Sequence, residues 1–127
     1  MIDHVSIGVR DLAASAGFYE PVLATIGLAK LVERQDTVGF GKSYPEFWLN
    51  ARPEFTPPSQ DTGVHVCLRT RERASVDAFH AAAILAGASD DGAPGFRPEY
   101  SEDYYAAFVR DLEGNRIEVV TFSNPSA

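Results

Sequence analysis

The chain carries one pattern twice, and this repeat limits its possible folds more than any other feature. DHVSIGVRDLAASAGFYEPVLATIGL, residues 3–28, aligns with VHVCLRTRERASVDAFHAAAILAGA, residues 64–88, at a constant separation of 61 residues, so that His4 matches His65 and Phe18 matches Phe79. A unit of this size cannot bury its apolar face alone and must pack against its copy.

Each copy reads as strand then helix. Val5, Ile7 and Val9 alternate with His4, Ser6 and Gly8, the period-two signature of a half-buried strand. Asp11 supplies a cap, and Leu12, Ser15, Phe18, Tyr19, Val22, Leu23 and Ile26 recur at helical spacing as far as Gly27. Pro21 lacks a backbone donor and is expected to kink or divide this helix. In the second copy Val64, Val66 and Leu68 alternate with His65, Cys67 and Arg69. Thr70 is expected to cap a helix whose stripe is Val76, Phe79, Ala83 and Ala86, with Gly87 ending it.

Short strands follow each helix. Residues 30–34, 37–41 and 46–50 form the first set, and YAAFVRD and NRIEVVTF form a pair around the turn at Leu112-Glu113-Gly114-Asn115. Residues 90–105, rich in Gly and Pro, read as a loop over the cavity. ARPEFTPPSQDTG, residues 51–63, reads as an extended linker. The expected fold is α+β, a single domain over 1–127: unit one 1–50, crossover linker 51–63, unit two 64–122. Its two tandem βαβββ units form a curved, mostly antiparallel sheet around a cleft, with the helices outside.

The alternation also assigns faces. If Val5, Ile7 and Val9 face the helix, His4, Ser6 and Gly8 face the cleft, and His65 and Cys67 do the same in the second copy. In the last strand Ile117 and Val119 take the helix side and Glu118 joins the histidines. Two imidazoles and a carboxylate on one concave face suit Fe, Mn, Ni or Zn and leave coordination positions open. Trp48, Phe40, Arg97 and Tyr104 are candidates for the substrate pocket. Phe108 is assigned to core packing, Cys67 to a small buried hydrophobe and His80 to an outer helix face.

Composition removes other classes of function. The 127 residues include 18 Asp and Glu against 11 Lys and Arg, a net charge of −7, and no basic run, which argues against a nucleic-acid partner. No stretch approaches the roughly 20 apolar residues of a membrane helix, and the N-terminus has no leader pattern. One cysteine makes no internal disulfide, so a cytoplasmic setting is expected.

At these residues the chain resembles the vicinal oxygen chelate superfamily, which includes glyoxalase I, extradiol dioxygenases and bleomycin-resistance proteins. The resemblance is carried by the strand and helix at residues 3–28, by VHVCLRT, and by YYAAFVRDLEGNRIEVV with its Asp-x-x-Gly-Asn turn and Glu-bearing last strand. It implies a small-molecule ligand, a homodimer, and His4, His65 and Glu118 as ligands of a divalent metal in a lyase or dioxygenase. Glu118, Tyr100 and Tyr105 are the candidates for proton transfer.

The family's fourth ligand position falls on Trp48, the centre of Phe47-Trp48-Leu49. An indole cannot coordinate a metal, so the chain departs from the four-ligand glyoxalase I pattern. Glu46, two residues earlier, shares that face as a displaced substitute. The resemblance also implies an alternative: a non-catalytic drug- or metabolite-binding protein of the bleomycin-resistance type, whose cationic ligands an acidic chain would suit.

Overall fold

The computed structural model describes residues 1–59 and 62–122, so part of the expected linker, residues 60 and 61, lies outside it. Unit one comprises β1 (Val5–Val9), α1 (Leu12–Ala24), β2 (Ala29–Glu33), β3 (Thr37–Gly41) and β4 (Pro45–Ala51). Unit two comprises β5 (Val66–Arg69), α2 (Arg73–Leu85), β6 (Ser89–Phe96), β7 (Tyr105–Arg110) and β8 (Arg116–Thr121). The sheets have matching orders, β1-β4-β3-β2 and β5-β8-β7-β6. In each, the first strand pairs in parallel with the last and the other pairings are antiparallel. The repeat is therefore two βαβββ units of an α+β fold.

The helices pack together and against one side of the sheets. Val9, Phe18, Phe47 and Leu49 from unit one join Val76, Phe79, Ile117 and Val119 from unit two in one buried cluster, with Val5 and Ile7 packed at its edge. Burial on the helix side leaves the other parity of each strand facing outward. No helix among the described residues is long and apolar enough to cross a membrane.

Four local expectations give way to the structure. Pro21 does not divide α1, because it lies one turn above Gly17 on the exposed side, where water can satisfy the carbonyl that its missing N–H leaves free. Thr70 does not cap α2: its N–H continues the β5 ladder to the Val120 carbonyl, and Glu72 occupies the cap position without a side-chain cap bond. Val64 precedes the strand and is 75% exposed. The first part of the expected 90–105 loop, as far as Phe96, belongs to β6, whose register shifts between Asp90 and Gly92 and again before Gly95. Those bulges break the period-two pattern by which a strand is recognised.

The units are fastened where the Asp111–Asn115 turn of unit two meets the β1–α1 junction. Gly114, at φ +90°, makes the reversal. Glu113 reaches across: Oε2 accepts from the N–H groups of Arg10 (2.8 Å) and Asp11 (3.0 Å), and Oε1 accepts from Arg10 Nε at 2.8 Å. Burial alone would raise the Glu113 carboxyl, but the Arg10 guanidinium and these two amides outweigh it and hold it below the ordinary value of 4.5.

A carboxyl depressed in the folded state stabilises above its unfolded pKa, and that contribution is lost as pH falls through the folded value. Between pH 6 and pH 3 the urea midpoint of the wild type should therefore fall more steeply than that of Glu113→Gln. Parallel curves would show that the clasp does not contribute this acid sensitivity.

Candidate functional site

The outward face of unit two is built from the strand parity opposite the core. Glu118 on β8, Phe108 and Ala106 on β7, and Cys67 on β5 share it, with Cys67 paired to Glu118 and Phe108 paired to Glu118 in register. Phe108, Ala106 and Val120 form a second apolar cluster there, separate from the helix-side core, with Tyr104 and Phe122 against it. Glu118 is only 2% exposed although no helix covers this side.

Both Glu118 oxygens are engaged. His65, just before β5, places Nε2 2.9 Å from Oε1, a hydrogen bond in the tautomer that protonates Nε2. The Tyr104 hydroxyl donates to Oε2 in a short hydrogen bond. Burial first, then the Glu118 hydrogen bond and charge, raises the Tyr104 phenol, which stays protonated as a donor. Cys67 borders the same carboxylate, and burial followed by the Glu118 charge pushes its thiol up to about 12, so it is a poor nucleophile near neutrality. The residue itself is exposed rather than the small buried hydrophobe expected.

An N···O separation of 2.9 Å is what a hydrogen bond needs, and it is also about the edge spanned by two adjacent ligands each about 2.1 Å from a shared ion. Imidazole and carboxylate suit a first-row divalent metal. One chain brings only these two together: among the described residues there is no cluster of three or more His, Cys, Asp or Glu side chains placed to hold a metal.

His4 instead pairs with Asp3, at 2.7 Å. The cause is the direction of the strands. Ile7, in the middle of β1, shares a cavity with His65 and Val66 at the start of β5, and Gly8 O, one residue on, accepts from Asn115 just before β8. Arg69, at the end of β5, instead shares a cavity with Glu46, at the start of β4 beside the start of β1. The two first strands thus run antiparallel along the seam, and His4 lies about 10 Å beyond Ile7 at the rise of an extended chain. Equivalent positions of the repeat fall at opposite ends.

The registers test that equivalence directly. Ser6 pairs with Trp48 as Cys67 pairs with Glu118, so Trp48 stands where unit two has its carboxylate. Its ring lies against Gly39, where a Cβ would come within 2.9 Å of it, and Arg34 stands 5.5 Å over it. Glu46 shares this face and accepts from the Lys42 N–H at 3.2 Å.

Other candidates separate by parity. Phe40 faces the core at 0% exposure and does not join the outward face. Phe108, assigned to core packing from sequence, is buried at 6% exposure, in the second apolar cluster beneath that face rather than in the helix-side core. The His65 ring is 6.3 Å from that of Phe108, and Arg97 and Arg116 stand 5.6 and 4.7 Å from it. Tyr105 points to the helix side and donates to Asp77 on α2, away from Glu118. Tyr100 is exposed, its ring 5.0 Å from that of Tyr104. His80 contacts Asp90 at 2.9 Å. Phe108 and Arg116 were legible in principle: a turn at 112–115 pairs Arg110 with Arg116, and counting outward places Phe108 opposite Glu118.

Comparison with known proteins agrees with this architecture. The model of the Glyoxalase/Bleomycin resistance protein/Dioxygenase superfamily matches residues 1–119. A glyoxalase/bleomycin resistance protein from Albidiferax ferrireducens T118 is 29% identical, with TM-score 0.81 over 94% of this chain and 96% of that one. A family enzyme from Burkholderia phytofirmans PsJN shares the fold at 20% identity and TM-score 0.72, over 96% and 98% of the two chains. Lactoylglutathione lyase from Agrobacterium tumefaciens does so at 19% identity and TM-score 0.66, over 95% and 92%. No curated protein matches the chain. The matched model spans nearly the whole sequence, and the chain belongs to the Glyoxalase/Bleomycin resistance protein/Dioxygenase superfamily.

Proposed function

We propose that the protein is a divalent-metal-dependent lyase or dioxygenase acting on a small oxygenated molecule bound on the outward face of unit two. The observation that carries this is the His65–Glu118 pair: a carboxylate 2% exposed, on a sheet face that no helix covers, with an imidazole nitrogen at 2.9 Å. A buried carboxylate is costly without a cation or strong donors.

His65 and Glu118 would supply two ligands and His4 of a second copy the third, since His4 of the same chain lies at the far end of the seam. When bound, the ion would polarise a substrate oxygen. Tyr104 holds the Glu118 carboxylate in orientation, Phe108 provides an apolar floor, and Trp48 closes the fourth position to further coordination. The same proposal makes the protein a cytoplasmic homodimer of single-domain chains.

Elemental analysis tests it. After reloading separately with Fe, Mn, Ni and Zn, the wild type should retain about one ion per chain for at least one metal, and both His65→Ala and Glu118→Gln should retain little. Failure of the wild type to retain any of the four overturns the metal-dependent assignment. A second function is favoured by one specific feature. His65 and Tyr104 already satisfy both Glu118 oxygens, as a metal-free binding protein of the bleomycin-resistance type would require. A wild type without metal that still binds small aromatic ligands would establish that alternative.

A further inference from the structure

We propose that the ligand of this face carries a carboxylate and that Arg97 is the residue that receives it. The inference rests on the small-molecule site placed beside His65 and Glu118. Arg97 follows β6, and its guanidinium is folded back and fixed by two backbone carbonyls: Nη1 donates to Gly95 O and Nη2 to Ala93 O, both at 2.9 Å. Carbonyls orient a cation without neutralising it.

No carboxylate among the described residues lies within ion-pair distance of Arg97, whereas its neighbour Arg116 is paired with Asp91 at 2.7 Å. Acidic residues outnumber basic ones 18 to 11 in this chain, so carboxylates are not scarce. An arginine held on an aromatic floor without one is a charge reserved for something else.

The local backbone is shaped around this side chain. A Cβ at Gly92, where φ is +152°, would come within 3.3 Å of Arg97 Nη2 and 3.0 Å of the Phe108 ring; one at Gly95 would come within 3.1 Å of Nη1. The two bulge glycines therefore clear the volume that the guanidinium occupies. Two of its five N–H groups serve the carbonyls, which leaves enough for a bidentate carboxylate.

Arg97 and His65 lie 5.6 and 6.3 Å from the same Phe108 ring, and that ring is the register partner of Glu118. A small acid anchored on Arg97 would sit over the Arg97–Phe108 stack, whose ring is 6% exposed, and bring its remaining oxygens toward the His65–Glu118 pair. Such a ligand is anionic, opposite to the cationic drugs that the chain's net charge alone would favour.

Calorimetric titration of the full-length protein with mandelate, mandelamide and phenyl phosphate, with metal loaded and after EDTA treatment, tests this. Mandelate should bind at least about tenfold more tightly than its neutral amide, a difference of about 1.4 kcal/mol. The preference should fall to within about twofold in Arg97→Gln and persist in Arg116→Gln, whose charge Asp91 already offsets. Arg97→Lys keeps the charge without the fork and should show an intermediate preference, a readout that survives if the glutamine variant folds poorly.

Equal binding of acid and amide, no binding of mandelate, or a preference unchanged in Arg97→Gln overturns the assignment. Tighter, Arg97-dependent binding of phenyl phosphate replaces carboxylate by phosphate ester. Acid preference that survives EDTA supports Arg97 whether or not a metal is bound. Stoichiometric metal without acid preference overturns this inference alone.

Discussion

Asp111→Ala is expected to destabilise the protein by about 3–5 kcal/mol, the cost of removing one partner from a buried charged network. Asp111 is 5% exposed and accepts from four groups: the Tyr19 hydroxyl at 2.5 Å, the N–H groups of Glu113 and Asn115 at 2.9 Å each, and Asn115 Nδ2 at 3.1 Å. Alanine would leave a buried phenol and two amides without acceptors. Burial and the Asp111 charge raise the Tyr19 hydroxyl well above its ordinary pKa, so it remains a donor throughout the accessible pH range.

The loss is severe because the same turn fastens the units: Tyr19 belongs to α1, and Asn115 Nδ2 also donates to Gly8 O at 3.3 Å. Against a total stability of about 5–15 kcal/mol, the variant should be close to unfolded at ambient temperature. Tyr19→Phe, which removes one donor and leaves Asp111 three, should cost about 1–2 kcal/mol. Urea denaturation followed by fluorescence measures both. A loss below about 1 kcal/mol for Asp111→Ala would show that the Asp111 network contributes little to holding the units together.

The fold was readable because a repeat is a strong constraint. Once residues 3–28 matched 64–88, each helix and first strand was specified twice, and aliphatic parity in β5 and β8 put on one face His65 and Glu118, which lie 2.9 Å apart. Prediction weakened where a tertiary contact decides. Thr70 looks like a cap, but the β8 carbonyl at Val120 takes its N–H. β6 is disguised by glycines whose purpose, room for Arg97 and Phe108, exists only in three dimensions. Phe40 joined the helix-side core instead of the pocket because aromatic character says nothing of face, whereas register does. His4 is the deepest case: repetition correctly made it the counterpart of His65, but units related by a local two-fold set counterparts apart.

Mixing His4→Ala with His65→Ala should restore metal binding that neither variant has alone. If each site takes His4 from one copy and His65 and Glu118 from the other, either variant by itself loses a ligand in both sites of its dimer. A dimer containing one chain of each kind behaves differently. One of its sites combines both alanines, while the other combines an intact His4 with an intact His65. Unfolding and refolding an equal mixture gives mixed dimers in about half of the molecules, each with one complete site, so about one quarter of the wild-type metal content should return. Separately refolded variants remain near zero. A mixture that also stays near zero would show that the site does not draw its ligands from two copies, and His4→Ala retaining full metal by itself would remove His4 from the ligand set. Neither result would disturb the 2.9 Å pairing of His65 with Glu118 or the fixed charge on Arg97, so the outcome bears specifically on how copies of this chain share a site.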